Sequence, residues 1–352
     1  MFDDISIILP VHNLRKFRKY ILININFFIK KKIYVYILSN KKIFYLKKNF
    51  FVKKIIRKKF SSPLEKIFYA LENIKTKYVF LLREDDLLCE HGFLHLYNQI
   101  KKSDKICSIQ GLKFLVLNKK IHPHNPNNFN FQSKLEKLST KEKFKNILNY
   151  APECYWTIHK TKIIKKFFFL AVKKKYFCDP INHWGITIQY FDYYFIFFLL
   201  IYGDIKFESM PVNLKIKFRK ENKSKKIPSF KVIKKNEFFL KNLEILAGLM
   251  EKKRKIKKKE AKKIILYALT KKSNLHKPRD EVRSYNFFQK FIYRIKRRYK
   301  KMQEFFSSYQ LISQNDVYYV SSLNRNLYNN LINNKKITKE LDYLFKNTIN
   351  PN

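Results

Sequence analysis

Glycine and cysteine are scarce in this chain, with 5 glycines and 4 cysteines among 352 residues. The cysteines, Cys89, Cys107, Cys154 and Cys178, are widely spaced and form no CxxC pair. Neither a zinc knuckle nor a disulfide framework is therefore predicted, and a reducing compartment is the simplest location for such a protein.

Long hydrophobic runs are also missing. The longest run, residues 193–202, is about half the length that a membrane-spanning helix needs. The first ten residues contain Asp3 and Asp4 and lack a basic segment followed by an apolar run, so no signal peptide is predicted. The sequence therefore predicts a cytoplasmic protein, either soluble or peripheral on the inner face of the membrane.

Acidic residues are few, with 27 Asp and Glu against 76 Lys and Arg and a formal net charge of +49. Such an excess ordinarily indicates nucleic acid or an anionic membrane as the partner. The chain is also rich in Lys, Ile, Phe, Asn and Tyr together, a bias that an AT-rich genome imposes on all of its proteins. Only a local concentration of charge is therefore informative here.

One such concentration lies between residues 252 and 301, which hold 21 basic residues and three acidic ones. Apolar residues recur within it at amphipathic spacing, namely Phe287, Phe288, Phe291, Ile292 and Ile295. A basic amphipathic helix suits an anionic membrane surface, which we expect residues 251–301 to contact, or a nucleic-acid backbone. A solvated helix face in a compositionally biased protein is an equally good interpretation.

The apolar pattern of the first part of the chain predicts a parallel α/β sheet. Residues 5–11 and 33–38 are apolar, β-branched runs, and the segment between them has apolar residues at a spacing of three to four. Strand, helix and strand at this spacing form a βαβ unit. Ser62, with Glu65 three residues later, predicts the capped start of a second helix. Beyond residue 228 the pattern predicts mainly helices.

A cluster of three acids follows a predicted buried strand at residues 79–82. Glu84, Asp85 and Asp86 come where such a strand ends and where ligands of parallel sheets collect. Because neighbouring carboxylates repel one another, the cluster predicts a cation partner, and carboxylate oxygens suit Mg2+ or Mn2+. A solvated acidic turn is the alternative.

Three motifs, taken in order, resemble family-2-like glycosyltransferases of the GT-A fold. They are the opening from Pro10 to Asn13, the acid cluster, and Asp192 followed by Gly203 eleven residues later. Residues 155–161 and 218–222 are similar to a bacterial subgroup that acts in surface-polysaccharide assembly. The resemblance covers residues 3–225.

The resemblance implies an α/β protein with the GT-A-type nucleotide-diphospho-sugar transferase fold. In this fold a Rossmann-like, mixed, mostly parallel sheet is flanked by helices. The expected organisation is a glycosyltransferase domain at residues 1–228, followed by a basic, mainly helical region at residues 229–352.

The resemblance also implies an activity. The expected reaction is a metal-dependent, inverting transfer of a sugar from a nucleoside-diphosphate sugar, UDP-linked, to a hydroxyl of a glycan or lipid-linked acceptor. The acids Glu84, Asp85 and Asp86 would hold Mn2+ or Mg2+ against the diphosphate. Asp192 would be the catalytic base that takes the acceptor proton, with Glu153 as the alternative.

Further residues are expected to bind the nucleotide, namely Pro10, His12, Asn13, Asn40, Arg83 and Arg219. Residues of the first loop would contact the base and ribose. Asn40 ends the second predicted strand and offers only neutral hydrogen bonds there. Both arginines could reach the diphosphate, because guanidinium groups bind phosphate oxygens in pairs.

The sequence departs from the family pattern at three points. Glu84 stands at the first acid position, Phe191 precedes Asp192, and no Gln-x-x-Arg-Trp motif is present. The last departure argues against a processive, synthase-like activity.

Two other functions stay open at this stage. One is a metal-dependent nucleotidyltransferase or phosphohydrolase, which would need more ligands than the single cluster supplies. The other is a basic protein that binds nucleic acid or an anionic membrane without catalysis. It leaves the acid cluster unexplained, so nucleic acid is not the expected partner.

Overall fold

The computed structural model describes residues 2–13, 16–43, 46, 48–56, 60, 62–117, 120–124, 135, 137–150, 155–177, 187–216, 236–275, 286–289, 291–292, 295, 309–312, 317–320 and 334–349. Their strands are β1 (Ile5–Val11), β2 (Tyr34–Ser39), β3 (Val52–Ile56), β4 (Tyr78–Leu81), β5 (Asp86–Leu88), β6 (Ile106–Leu117), β7 (Lys120–His124), β8 (Thr157–Lys160), β9 (Asp204–Ile216), β10 (Tyr309–Ile312) and β11 (Val317–Val320). Their principal helices are α1 (Arg18–Lys30), α2 (Pro63–Asn73), α3 (Glu90–Lys101), α4 (Thr140–Asn146), α5 (Thr161–Val172), α6 (Thr187–Tyr202), α7 (Glu237–Arg254), α8 (Lys258–Leu275) and α9 (Lys335–Ile349).

All of these strands belong to one mixed sheet. Its main path runs in the order β10, β11, β7, β6, β8, β4, β1, β2, β3, and β9 joins both β5 and β6 beside that path. Strands β3, β2, β1 and β4 are parallel neighbours. The antiparallel strand β8 then lies between β4 and β6. The predicted α/β class and the parallel βαβ opening are confirmed.

Helices cover both faces of this sheet because its strands are apolar on both sides. In β1, Ile8 packs in one hydrophobic core, while Ile7 and Leu9 pack in the other. Helices α2, α5 and α6 contribute to the first core, and α1 and α3 contribute to the second. Helix α2 begins as predicted, with the Ser62 hydroxyl accepting a hydrogen bond from the Glu65 amide at 3.2 Å.

Three short strands, β7, β10 and β11, have no counterpart in the predicted pattern. Strands β10 and β11 lie in the region predicted to be mainly helical. These strands are four or five residues long, and β11 joins the sheet through a distant partner, β7. A short apolar run does not distinguish strand from helix, because its pairing partner decides the outcome. Strand β9 also continues through Pro211, where register shifts against β6 absorb the proline.

Gly203 follows α6, as the resemblance implies, and a close approach between two segments of the chain explains why a glycine stands there. None of the described glycines has a positive φ, so a left-handed helix cap is not what requires glycine here. A Cβ at this position would lie 2.6 Å from the Cys107 Cβ and 2.8 Å from the Lys105 carbonyl oxygen. Glycine therefore allows the turn after α6 to pass close to β6.

The described C-terminal helices pack on the sheet domain. Helices α7 and α8 bury Leu246 and Ile265 in the first core, and α9 buries Leu341 in the second. The Arg254 guanidinium also donates to the carbonyl oxygens of Leu200 and Gly203. The division at residue 228 stays a prediction. Within the described ranges, no helix is long and apolar enough to cross a membrane.

Candidate functional site

The candidate site lies at the edge of the sheet where β1 and β4 end. These two strands are parallel neighbours, with Ile8 opposite Leu81. The chain leaves β1 at His12 and Asn13, and it leaves β4 at the segment that holds the three acids. Since the carboxyl ends of adjacent parallel strands meet at one edge, two of the predicted motifs are neighbours in space.

Glu84 holds the loop that follows β1. Its carboxylate accepts hydrogen bonds from the main-chain N–H groups of His12, at 2.8 Å, and of Asn13, at 3.0 and 3.2 Å. Burial raises the pKa of Glu84, and the two backbone hydrogen bonds oppose that shift. Because both of its oxygens are engaged, Glu84 fixes the position of the loop in this structure.

Lys66 supports the same loop from helix α2. It is only 3% exposed, and its Nζ donates to the Val11 carbonyl oxygen at 2.9 Å and lies 3.3 Å from the His12 Nδ1. The surrounding protein and the Lys66 charge lower the pKa of His12 to about 4, although its ring still reaches solvent. His12 is therefore neutral at pH 7. Sequence reasoning missed Lys66, because a lone lysine on an amphipathic helix normally faces solvent.

Arg83 and Asp85 form a two-point ion pair. The Arg83 Nε lies 3.1 Å from Asp85 Oδ1, and the second contact, to Oδ2, is 3.2 Å. The guanidinium also lies over two aromatic rings, 5.5 Å from the centroid of Trp156 and 5.9 Å from that of Tyr155. Arg83 is therefore oriented on three sides, with 39% of its side chain exposed.

Asp86 is the most unusual group of the site. It is 0% exposed, and neither carboxyl oxygen has a hydrogen-bond partner in the part of the chain that the structure describes. Burial and the neighbouring Asp85 raise its pKa to about 7, while Arg83, Lys113 and Lys215 act in the opposite direction. A buried carboxyl without a partner is costly and indicates that a ligand is missing or that the site stores strain.

The main chain at Asp86 is held rigidly by a buried amide. The Asn24 Nδ2 donates to the Asp86 carbonyl oxygen at 2.8 Å, and its Oδ1 accepts from the Leu88 N–H at 3.0 Å. Asn24 lies on α1, where it interrupts an apolar face and is 1% exposed. It fixes β5 against α1 and so determines where the Asp86 side chain points. Its separation of 62 residues from Asp86 left no signal in the sequence.

Asp192 lies inside helix α6. The helix begins at Thr187, so Asp192 is more than one turn from its start and does not cap it. Phe195, one turn later, packs against His159 of β8 with ring centroids 5.3 Å apart. Because α6 runs back towards the start of β6 at Gly203, its N-terminal half points to the edge where β4 ends. Asp192 is half-buried on that half of the helix.

The remaining predicted residues are placed as follows. Pro10 is buried in β1 opposite Leu38, and Asn40 is half-buried in the turn after β2. The Ser39 hydroxyl accepts from the Lys41 N–H at 3.0 Å and shapes that turn. The other predicted residues, Arg219 and Glu153, together with the motif at residues 218–222, lie outside the described residues.

The three acids do not converge on one point. Glu84 contacts the β1 loop and Asp85 pairs with Arg83, whereas both carboxyl oxygens of Asp86 lack a partner among the described residues. Among the residues that the structure describes, no group of three or more His, Cys, Asp or Glu side chains is arranged to hold a metal ion. The arrangement fits a cation that is held by the Asp86 carboxylate. Asp85 would be a second ligand if its ion pair with Arg83 opened. Divalent ions that are bound together with phosphates commonly use one or two carboxylates.

Comparison with known proteins gives a likeness of fold. No family model matches the chain, and no curated protein matches its sequence. Residues 1–349 of S. aureus TarS in complex with UDP-GlcNAc are similar in structure, with a TM-score of 0.53 and 12% identity, over 82% of this chain and 77% of that chain. The same TarS region in complex with UDP has a TM-score of 0.48 and 11% identity over the same shares.

At this identity the similarity concerns the fold alone. It agrees with the mixed sheet flanked by helices. The chain therefore has a GT-A-like α/β fold, as its sequence predicts.

Proposed function

We propose that this protein is a metal-dependent glycosyltransferase. It transfers a sugar from a nucleoside-diphosphate sugar, UDP-linked, to a hydroxyl of a glycan or lipid-linked acceptor, with inversion, in the assembly of a surface polysaccharide. The observation that carries the proposal is the buried, unpartnered carboxyl of Asp86 at the carboxyl edge of β1 and β4. The similar TarS structure was determined with UDP-GlcNAc, which supports a UDP-sugar as the donor.

The basic groups around Asp86 suit a diphosphate. Arg83 is within reach of solvent, and Lys113 and Lys215 are close enough to affect the Asp86 carboxyl. A divalent ion would supply positive charge against the departing diphosphate, and Asp86, with Asp85, would hold it. When Asp85 is engaged in this way, the Arg83 guanidinium becomes available for phosphate oxygens. Glu84 would keep the His12 loop in place instead of binding the ion.

Removal of a proton from the acceptor hydroxyl requires a base on the side of the sugar opposite the leaving group. Asp192 is proposed for this step, since the N-terminal half of α6 points to the edge of the sheet that carries the acids. The first loop, with Pro10, His12 and Asn13, is proposed to contact the base and ribose, together with Asn40. Arg219 remains a proposed phosphate ligand.

Calorimetric titration with UDP, with and without Mn2+, tests the proposal. Wild-type protein is expected to bind UDP at least tenfold more tightly with Mn2+ than without it. The Asp86→Ala variant is expected to lose this dependence, because the carboxylate that holds the ion is gone. As a matched control, Asp104→Ala removes a carboxylate that is 90% exposed, and it should titrate like wild type.

Two results would contradict the proposal. One is that folded wild-type protein binds none of UDP, GDP or CDP with or without Mn2+. The other is that the Asp86→Ala variant keeps the full effect of Mn2+ on UDP binding.

We also propose that residues 251–301 hold the enzyme against an anionic membrane surface, where a lipid-linked acceptor would be found. In the described part of this segment, residues between 287 and 295 are helical. Phe287 is 86% exposed, Phe288 is 67% exposed and Phe291 is 52% exposed. Exposed aromatic residues among lysines and arginines suit the interface of an anionic bilayer. The protein would then be cytoplasmic and peripheral on the inner face of the membrane.

Flotation of the full-length protein with vesicles tests this association. Wild-type protein is expected to float with vesicles that contain phosphatidylglycerol and not with pure phosphatidylcholine, and less so at high salt. The Phe287→Ser/Phe288→Ser variant should lose most of this binding. Phe50→Ser is the matched control, because Phe50 is 68% exposed elsewhere on the protein. Equal flotation of the double variant and wild type would refute the proposed contact.

A further inference from the structure

Three buried side chains near the acid site have polar atoms for which the described residues supply no hydrogen-bond partner. They are the Asp86 carboxyl, the Nε1 of Trp156, and both the Oδ1 and the Nδ2 of Asn213. Asp86 and Asn213 are 0% exposed and Trp156 is 4% exposed. An unsatisfied buried polar group destabilises the fold, so several in one place indicate that a ligand satisfies them.

The pairing of the strands places these groups together. Asn213 of β9 lies opposite Lys113 of β6 and opposite Leu88 of β5. Asp86 lies opposite Lys215, two residues further along β9. Residues that lie opposite one another, and residues two apart in a strand, project from the same face of a sheet. Asn213 and Asp86 are therefore neighbours on one face.

Trp156, the residue before β8, closes the same region. Its main-chain N–H donates to the Leu81 carbonyl oxygen at 2.7 Å, at the end of β4. The Lys113 Nζ lies 3.5 Å from the centroid of its ring, and the Arg83 guanidinium lies 5.5 Å from it. Trp156 also has a φ of 59°, a backbone conformation that is strained for a large side chain. Such strain is characteristic of residues held in place for function.

The chemistry of these groups identifies a class of ligand. The Trp156 Nε1 and the Asn213 Nδ2 can only donate hydrogen bonds, whereas the Asn213 Oδ1 accepts them. A set of donors and acceptors that alternate over a short distance matches a ring with several hydroxyl groups, since every hydroxyl both donates and accepts. A phosphate, which only accepts, would leave the Asn213 Oδ1 without a partner.

We propose that Asn213, Trp156 and Lys113 form the subsite that receives the sugar ring of the donor. This inference rests on the proposed function and goes further, because it assigns recognition of the sugar hydroxyls to Asn213 and Trp156, neither of which is assigned to the nucleotide. Hydroxyl groups of the sugar satisfy the Asn213 amide and the Trp156 indole N–H. The Lys113 side chain, 7% exposed, fixes the ring of Trp156 from one side.

Titration of variants with UDP and with UDP-sugars tests the subsite. The probes are UDP itself and the UDP conjugates of glucose, galactose, N-acetylglucosamine and glucuronate. For the conjugate that wild type binds most tightly, Asn213→Leu and Trp156→Phe are each expected to raise the Kd at least tenfold. Their Kd for UDP should stay within twofold of wild type, because neither residue is assigned to the nucleotide.

Thermal unfolding gives a second, independent readout. Asn213→Leu is expected to raise the Tm, because it replaces an unsatisfied buried amide with an apolar group of similar size. A purely structural asparagine would lower the Tm when replaced. Asn242→Leu is the matched control: Asn242 is equally buried, in another core, and its Oδ1 accepts from the Phe177 N–H at 3.0 Å. It should lower the Tm and leave the affinity ratio between the UDP-sugar and UDP unchanged.

The outcomes separate this inference from the proposed function. If wild type binds no UDP, the proposed function fails. If wild type binds UDP and the Asn213 and Trp156 variants lose affinity for UDP and UDP-sugar equally, or for neither, the sugar subsite is refuted while the proposed function stands.

Discussion

Replacing Asp86 with Asn is expected to stabilise the ligand-free protein at pH 8 and to have little effect at pH 4.5. In the folded protein burial raises the pKa of Asp86 to about 7, from 3.8 for an aspartate in the unfolded chain. Between these values the unfolded chain has lost the proton that the folded chain still binds. Stability therefore falls as the pH rises from about 4 to 7. The Asp86→Asn variant has no carboxyl to ionise at this position and should not show this decrease.

The expected size follows from the shift in pKa. A pKa unit corresponds to 1.36 kcal/mol, so the gain in unfolding free energy from Asp86→Asn should be about 3 kcal/mol larger at pH 8 than at pH 4.5. Urea unfolding in the presence of a chelator measures it at each pH. Asp104→Asn, at a carboxylate whose side chain is 90% exposed, is the control and should show no such difference. Equal effects of Asp86→Asn at the two pH values would contradict the assignment of a buried, strained carboxyl.

Replacing Asp192 with Asn is expected to lower kcat by a factor of about 10² to 10⁴, the usual contribution of a general base. The amide keeps the shape of the side chain and cannot accept the proton of the acceptor hydroxyl. The KM for the donor and the Kd for UDP should change less than threefold, because Asp192 of α6 is assigned to the acceptor proton and not to binding of the nucleotide.

Steady-state and single-turnover assays with the donor that wild type uses measure the effects on kcat and on KM separately. Asp204→Asn is the matched control. It changes an acid just beyond the opposite end of α6, which pairs with Lys143 at 3.7 Å, and it should retain wild-type kcat. A kcat within threefold of wild type for Asp192→Asn would exclude Asp192 as the base.

Asp86 destabilises the folded protein and is also assigned a role in the proposed chemistry. Asp86 is costly to bury, and Asn24 fixes the main chain at this position. A residue that destabilises the fold and is nevertheless held in place is typical of functional sites. The same argument applies to Asn213 in the neighbouring strand.

The sequence by itself determined the elements whose signals are local. The apolar run of β1, the Ser62 cap of α2 and the run that becomes β4 are each visible within a dozen residues. These signals are reliable because hydrophobic periodicity and capping act between near neighbours in the chain. The position of the acid cluster shortly after β4 follows from the same local pattern. The α/β class and the site edge were therefore predictable.

Only the tertiary structure decided which groups each acid of the cluster contacts. Glu84 contacts His12 across 72 residues, and Asn24 reaches Asp86 across 62, so no local pattern shows either contact. Strands β10 and β11 pair with each other, and β11 joins the sheet through the distant strand β7, so no local pattern predicts them either. The physical reason is common to these cases: burial and hydrogen bonding are satisfied by whichever groups the fold brings together, irrespective of their separation in the chain.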